Sequence, residues 1–157
     1  MAGRIRTGIG GWVYEPWRGS FYPSGLRQKD ELAYVGEHLT ATEVNATYYS
    51  SQKPATFANW AKAVPDGFQF AVKASRYCTN RKILAEAGES IAKFTGQGIA
   101  ELGDRLGPIL WQFMPTKRFD PDDFSAFLKL LPDAVDGVLL RHALEVRHES
   151  FDDPAFL

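Results

Sequence analysis

The stretch "ATEVNATYY", residues 41–49, has the length and the β-branched content of a buried strand, yet it carries Glu43 and Asn45. Side chains two residues apart on a strand point to the same face, so a strand here would place both polar groups together. An unpaired buried carboxylate is costly, and such groups are therefore usually paired or functional. The stretch predicts a strand with one face at the wall of a site.

The rest of the chain alternates between strand-like and helix-like patterns. In residues 53–64, for example, Phe57, Trp60, Ala61 and Val64 recur at helical spacing. This alternation predicts an α/β fold with a parallel sheet. We predict five strands, at 4–11, 41–47, 67–75, 108–115 and 142–148. We predict helices at 28–39, 53–64 and 120–131, and one broken helix within 81–106.

Polar residues recur near the carboxyl ends of the predicted strands. In parallel α/β folds, binding and catalytic sites form at this edge of the sheet. We therefore expect these side chains to line one site: Glu43, Asn45, Lys73, Gln112, Glu145 and Arg147.

Composition narrows the class of protein and its partners. The chain of 157 residues suits a single domain, 1–157, and its net charge of -1 does not indicate a nucleic-acid or anionic-membrane partner. A single cysteine, Cys78, excludes an intrachain disulfide and a cysteine-cluster metal site. The sequence has no signal-peptide core and no apolar run of membrane-spanning length, so we expect a cytoplasmic protein without a membrane partner.

Five segments together resemble the YecE-like family, also called domain of unknown function 72. They are "GIGGWVYEPWRGSFYP", "EVNATYY", "GFQFAVKASRY", "GPILWQFMP" and "ALEVRHESF". Each motif alone is weak, but all five occur in the order and spacing of the family. The resemblance implies a TIM-type (β/α) barrel with a site at its C-terminal face, and the activity of the family is unassigned.

The sequence departs from the family pattern in two ways. The family usually has a Thr-His pair shortly after the lysine of strand three, whereas this chain has Thr79-Asn80. The family also continues through about three more βα units beyond the fifth strand, consistent with the usual size of such barrels. We therefore expect a barrel that is incomplete at its C-terminus, with two unpaired sheet edges that a homo-oligomer would cover.

Three residues are the candidate catalytic groups: Glu43, Lys73 and Glu145. Either glutamate could act in acid–base chemistry, Glu145 on condition that burial raises its pKa. Lys73 could anchor an anion, or act as a base or Schiff-base nucleophile if it is desolvated. The alternative is a purely structural network in which Glu43 pairs with Lys73 or Arg147.

Six further residues are candidates for substrate binding: Trp12, Trp17, Arg18, Asn45, Gln112 and Arg147. The guanidinium groups would hold an anion, the amides would orient hydroxyls, and the tryptophans would stack on a ring or else form a hydrophobic plug. The sequence requires no cofactor and shows no metal-ligand spacing, although Glu43, Glu145 and His148 offer oxygen and nitrogen ligands for a divalent metal.

The leading hypothesis is therefore an enzyme acting on a small, polar, anionic substrate, such as a sugar phosphate or a nucleotide-like molecule. Two alternatives stay open: a non-catalytic protein that binds a metabolite or nucleic acid, and an inactive partial barrel.

Overall fold

Five parallel strands form one sheet in the computed structural model, which describes residues 3–156. They are β1 (Gly8–Gly10), β2 (Ala41–Val44), β3 (Gln69–Lys73), β4 (Leu106–Gln112) and β7 (His142–Glu145), and they are neighbours in that order. A separate antiparallel pair, β5 (Ala134–Val135) and β6 (Val138–Leu139), precedes β7. The predicted α/β class, with a parallel sheet, is confirmed.

Helices connect successive strands. The α-helices are α1 (Glu31–His38), α2 (Ala46–Tyr49), α3 (Pro54–Ala63), α4 (Arg76–Thr79), α5 (Gly88–Thr95) and α6 (Pro121–Leu128). Short 3-10 helices occupy Glu15–Trp17, Gln28–Asp30, Leu84–Glu86, Ile99–Arg105, Glu149–Phe151 and Pro154–Phe156. Helix α6 begins where the sequence indicates, because the Asp120 carboxylate accepts hydrogen bonds from the amides of Asp122 and Asp123. Among residues 3–156, no helix has both the length and the apolar character needed to cross a membrane.

The two faces of the sheet differ in burial. On one face Val44, Phe70, Val72 and Trp111 are fully buried in the core. The residues that alternate with them, such as Lys73 and the rest of the opposite face of β2 and β3, are only half-buried. Parallel sheets are usually covered on both faces. The half-buried face of this sheet, which no helix of residues 3–156 covers, is called the bare face below.

A β-bulge in β4 sets the register of its carboxyl end. Phe70 is paired with Leu106 and Val72 with Ile109, so β4 contains one more residue than β3 across this interval. Pro108 lies in this interval, which explains how a central strand accommodates a proline. A Cβ on Gly107 would lie 2.7 Å from the Phe70 carbonyl oxygen, so the close approach of the two strands requires glycine there.

All five strands end earlier than predicted, β2, β4 and β7 by three residues each, and one hairpin was missed. Strand β2 ends at Val44, and Asn45 has helical backbone angles (φ -89°, ψ -18°) at the start of α2. Strand β7 ends at Glu145, not at 148. The missed hairpin turns at Asp136 (φ 46°) and Gly137 (φ 79°), where an Asp-Gly pair is a strong hairpin signal in the sequence.

Candidate functional site

Lys73, the last residue of β3, lies on the bare face of the sheet at its carboxyl edge. Its ammonium nitrogen is 4.0 Å from Oε1 of Glu43 and 5.2 Å from the centre of the Tyr48 ring. Glu43 is in register with Ala71, which lies two residues before Lys73 on the same face of the sheet. This offset explains why the ion pair between Glu43 and Lys73 is long. The Lys73 side chain is 15% exposed, so its charge is partly shielded from solvent by these two neighbours.

Glu145 is held by two neighbours at the end of β7. It lies opposite Gln112 on β4, and the Gln112 amide donates to its Oε2 at 2.7 Å. The Arg147 guanidinium donates to its Oε1 through Nε at 2.7 Å and approaches the same oxygen through Nη2 at 2.6 Å. Glu43, Lys73, Gln112, Glu145 and Arg147 are called the polar cluster below.

The hydrogen bond from Gln112 is the main reason why the pKa of Glu145 lies below its usual value. Burial acts in the opposite direction, whereas Arg147 and the positive charge of Lys73 lower the pKa further. The condition set above for a Glu145 acid–base role, a pKa raised by burial, is therefore not met. Glu145 is ionised at neutral pH and acts on its surroundings as a fixed negative charge.

A notch of about 220 Å³ opens beside the polar cluster. Its lining includes Gln112 and Arg147 together with Tyr48, Asn80, Phe113, Met114 and Pro115. Asn80 donates to the Tyr48 hydroxyl at 3.0 Å, which holds the ring that also covers Lys73. The notch is smaller than the usual pocket for a drug-sized molecule, so its volume suits a phosphate, a carboxylate or a small sugar.

Asn45 lies near the cluster but not on the strand face from which it was predicted. Because β2 ends at Val44, Asn45 is not part of the alternation that includes Glu43. Its amide nitrogen lies 3.8 Å from where a Cβ on Gly10 would be, so the side chain faces the end of β1.

The structure places three predicted binding residues elsewhere. Trp12 packs edge-on against Trp60 and Phe70, with ring centres 5.3 and 6.4 Å away, on the helix-covered side of the sheet. Trp17 belongs to an aromatic group in the loop after β1, with Tyr14 at 5.0 Å. These contacts favour the alternative in which the two tryptophans form a hydrophobic plug over the one in which they stack on a substrate ring.

Arg18 is committed to a buried carboxylate. Its Nε donates to Oε1 of Glu31 at 2.8 Å, and Nη2 donates to Gln28 at 3.3 Å. Glu31 is fully buried, and a buried carboxylate without a cation would be costly. Arg18 therefore ties the loop after β1 to α1 and lies outside the polar cluster.

Two residues of the site, Tyr48 and Asn80, were not among the predicted site residues. Their signal was available in part, because Tyr48 lies four residues beyond the end of β2 and Asn80 seven residues beyond the end of β3, and both strand ends carry other site residues. The metal alternative gains no geometric support. Within residues 3–156, no three histidine, cysteine, aspartate or glutamate side chains are grouped to hold an ion, and Nδ1 of His148 instead accepts from the Ser150 amide at 3.1 Å.

The chain is similar in sequence to one protein family and to a protein of Bacillus subtilis. The family described as "Protein of unknown function DUF72" matches residues 6–157. The UPF0759 protein YunF of Bacillus subtilis (strain 168) is 26% identical over 158 residues, which cover 97% of this chain and 54% of YunF.

Two crystal structures of DUF72 family proteins are similar in fold. The protein from Enterococcus faecalis V583 has a TM-score of 0.74 at 24% identity, covering 98% of this chain and 54% of that protein. The protein from Thermotoga maritima MSB8 has a TM-score of 0.70 at 26% identity, covering 93% and 56%. The chain spans about half the length of each of these relatives. The match over residues 6–157 establishes that the chain belongs to the DUF72 family.

Proposed function

We propose that the polar cluster is the site of an enzyme that acts on a small, polar, anionic substrate by acid–base chemistry. A sugar phosphate or a nucleotide-like molecule has the required charge and hydroxyl groups. One observation carries this proposal: the Glu145 carboxylate, which is bound by Arg147 and whose pKa is also lowered by the charge of Lys73, lies at the carboxyl edge of the sheet beside a notch that can admit a ligand. Fold alone would not support it.

Each residue of the cluster has a role in this scheme. Lys73 and Arg147 attract the anionic group of the substrate, and the planar guanidinium suits a phosphate or carboxylate. Glu43, whose contact with Lys73 is long, is the group free to exchange a proton with the substrate. Gln112 orients hydroxyls, Asn45 does so from outside the cluster, and Glu145 fixes Arg147. The scheme requires no cofactor; a divalent metal would have to use the oxygens of Glu43 and Glu145.

Binding of three probes tests the proposal: inorganic phosphate, ribose 5-phosphate and AMP, followed by chemical-shift changes in NMR spectra. A Lys73→Met substitution should weaken binding of the preferred probe by about tenfold or more, because it removes a partly desolvated cation. Lys62→Met, which removes an exposed lysine of α3, is the matched control. Equal affinities of the two variants, or no binding by the native protein, would refute the proposal.

Non-catalytic binding of a metabolite is the second candidate, and a specific observation favours it. The two acidic members of the cluster already have cationic neighbours, Glu43 with Lys73 and Glu145 with Arg147. Such a network can bind without performing chemistry. Phosphorus NMR of each bound probe, with and without added Mg²⁺, separates the two: turnover supports the enzyme, whereas saturable binding without turnover supports a binding protein.

We further propose that the five strands correspond to the first five βα units of a TIM-type barrel. The strand order follows the chain order, all pairs are parallel, and one sheet face is bare. A barrel places such a face in its interior. We propose that a second copy of the chain covers this face and the two edge strands, which makes the association dependent on concentration. If sedimentation velocity shows a monomer at all concentrations, the homo-oligomer is wrong and the inactive partial barrel is favoured.

A further inference from the structure

A second and larger cavity lies next to the notch. It has a volume of about 720 Å³ and lies between residues 79–83, which follow β3, and residues 114–120, which follow β4. Asn80 and Met114 line both the notch and this cavity, so the two spaces adjoin. Both open at the carboxyl edge of the sheet. The larger space, called the basic groove below, is within the usual size range of ligand pockets.

The walls of the groove are fixed by bonded charges. The Lys117 ammonium donates to the Lys82 carbonyl oxygen and to Oδ2 of Asp123, both at 2.9 Å. Oδ1 of Asp123 accepts from the Ala85 amide at 2.8 Å, so these contacts join the two segments that form the groove. Burial acts to raise the pKa of Asp123, but backbone amides and Lys117 outweigh it, and the pKa is lowered overall.

Arg81 also has a structural role. Its guanidinium donates to the carbonyl oxygens of Tyr77 and Glu86, at 2.6 and 2.9 Å, and to the Ser90 hydroxyl at 2.8 Å. With Arg81 and Lys117 used in this way, the groove is preorganised before any ligand arrives, which lowers the entropic cost of binding.

Two cations of the groove have no such commitment. Within residues 3–156, neither the Lys82 ammonium nor the Arg118 guanidinium has a hydrogen-bond or ion-pair partner, and one comes from each segment. The groove contains four basic residues against two acidic ones, and Asp120 is occupied in capping α6. Lys82 and Arg118 therefore present positive charge that an anion could neutralise.

The groove also has an apolar surface. Ile83 and Met114 are 46% and 45% exposed, so both present apolar surface to a ligand in the groove. A flat ring packed against these side chains would remove apolar area from water. Positive charge next to exposed apolar surface matches a ligand that has both a phosphate and a ring.

We propose that the basic groove binds a nucleotide, with its phosphate between Lys82 and Arg118 and its base against Ile83 and Met114. The sugar then reaches past Asn80 into the notch, where the polar cluster lies. This inference rests on the proposed function only in placing the chemistry at the cluster. It narrows the substrate from any small anion to a nucleotide and moves the phosphate from Lys73 and Arg147, its place in the proposed function, to Lys82 and Arg118. Arg147 and Gln112, which line the notch, then contact the sugar.

The test compares the native protein with three variants for binding of AMP by isothermal titration calorimetry. The Lys82→Ser/Arg118→Ser double variant should bind AMP about tenfold or more weakly, and the loss should shrink at high salt because exposed charges are screened. Lys62→Ser/Lys129→Ser, which removes two exposed lysines and the same net charge, should bind AMP like the native protein. The affinity of the Lys73→Met variant for AMP is measured as well, and it tests whether the polar cluster takes part in binding.

Each outcome decides a different point. If the double variant loses AMP binding and Lys73→Met does not, the groove is supported and the proposed site at the cluster fails. If only Lys73→Met loses binding, the proposed function survives and the groove inference is overturned. Equal affinity of the native protein for inorganic phosphate and for AMP would also overturn it, since the base would then contribute nothing.

Discussion

Strand β7 carries Glu145, and its position beside β4 is secured by a partly buried hydrogen bond whose contribution can be tested. The Trp111 indole N–H donates to Nδ1 of His142 at 3.0 Å, and Nε2 of His142 lies 2.9 Å from the Pro132 carbonyl oxygen. An indole nitrogen can only donate and a carbonyl oxygen can only accept. His142 is therefore the neutral tautomer with its proton on Nε2, and it links β4, β7 and the residues before the β5–β6 hairpin.

Replacing Trp111 with Phe should destabilise the fold by about 2–5 kcal/mol. Trp111 is fully buried, so the lost ring atoms and the resulting cavity account for about 1–2 kcal/mol. The substitution also leaves Nδ1 of His142 without its donor in a partly buried position, which costs about 1–3 kcal/mol.

Urea denaturation followed by circular dichroism measures this difference through the midpoint and the slope of the transition. Trp60→Phe is the matched control, because Trp60 is only half-buried and its indole N–H has no acceptor among residues 3–156. A double-mutant cycle with His142→Leu should give a coupling of about 1 kcal/mol or more between Trp111 and His142. If Trp111→Phe costs no more than Trp60→Phe, and the cycle shows no coupling, the bond does not secure β7.

Three other predictions concern titratable groups. The pKa of Asp123 is lower in the folded than in the unfolded protein. The ionised carboxylate therefore stabilises the fold above its unfolded pKa, and this stabilisation is lost as the pH falls through the folded pKa. Asp123→Asn should remove this part of the acid dependence of the unfolding free energy, measured by urea titrations at several pH values. Burial raises the pKa of Cys78 to about 12, so a disulfide reagent near neutral pH should modify the thiol only after unfolding, and rapid modification of the native protein would contradict this. Gln112→Leu should raise the pKa of Glu145, because it removes the largest cause of the lowering; an unchanged carboxyl titration by carbon NMR would show that the Gln112 hydrogen bond does not control the pKa.

The alternation of strands and helices could be predicted because it depends on local patterns. Phe68, Phe70 and Val72 alternate with half-buried residues as a strand with one buried face requires, and all three are in the core. The helix predicted from residue 120 begins there because Asp120 caps it and Pro121 occupies its first turn, and both effects are equally local. Such features need no knowledge of distant contacts.

The ends of the strands depend on contacts that local patterns do not contain. Residues 41–47 are uniformly compatible with a strand, yet the chain enters α2 at Ala46, where Thr47 is buried and its hydroxyl donates to the Lys73 carbonyl oxygen at 2.7 Å. That bond joins the ends of two strands and fixes where Asn45 lies. Arg18 was assigned to the site for a similar reason, because nothing in the sequence shows that Glu31 is fully buried and needs a cation.

The strength of the polar cluster depends on what covers the bare face of the sheet. Glu145 and Arg147 are 38% and 42% exposed, and ion pairs at such positions contribute little because water and salt screen them. Covering the face would lower the effective dielectric constant around the cluster and strengthen every interaction with a bound anion. Lys73, already largely shielded by Glu43 and Tyr48, would gain least from a cover, whereas Arg147 would gain most. Affinity for an anionic ligand should therefore rise with any association that buries this face, and in that associated state the effect of an Arg147→Met substitution should increase more than that of Lys73→Met.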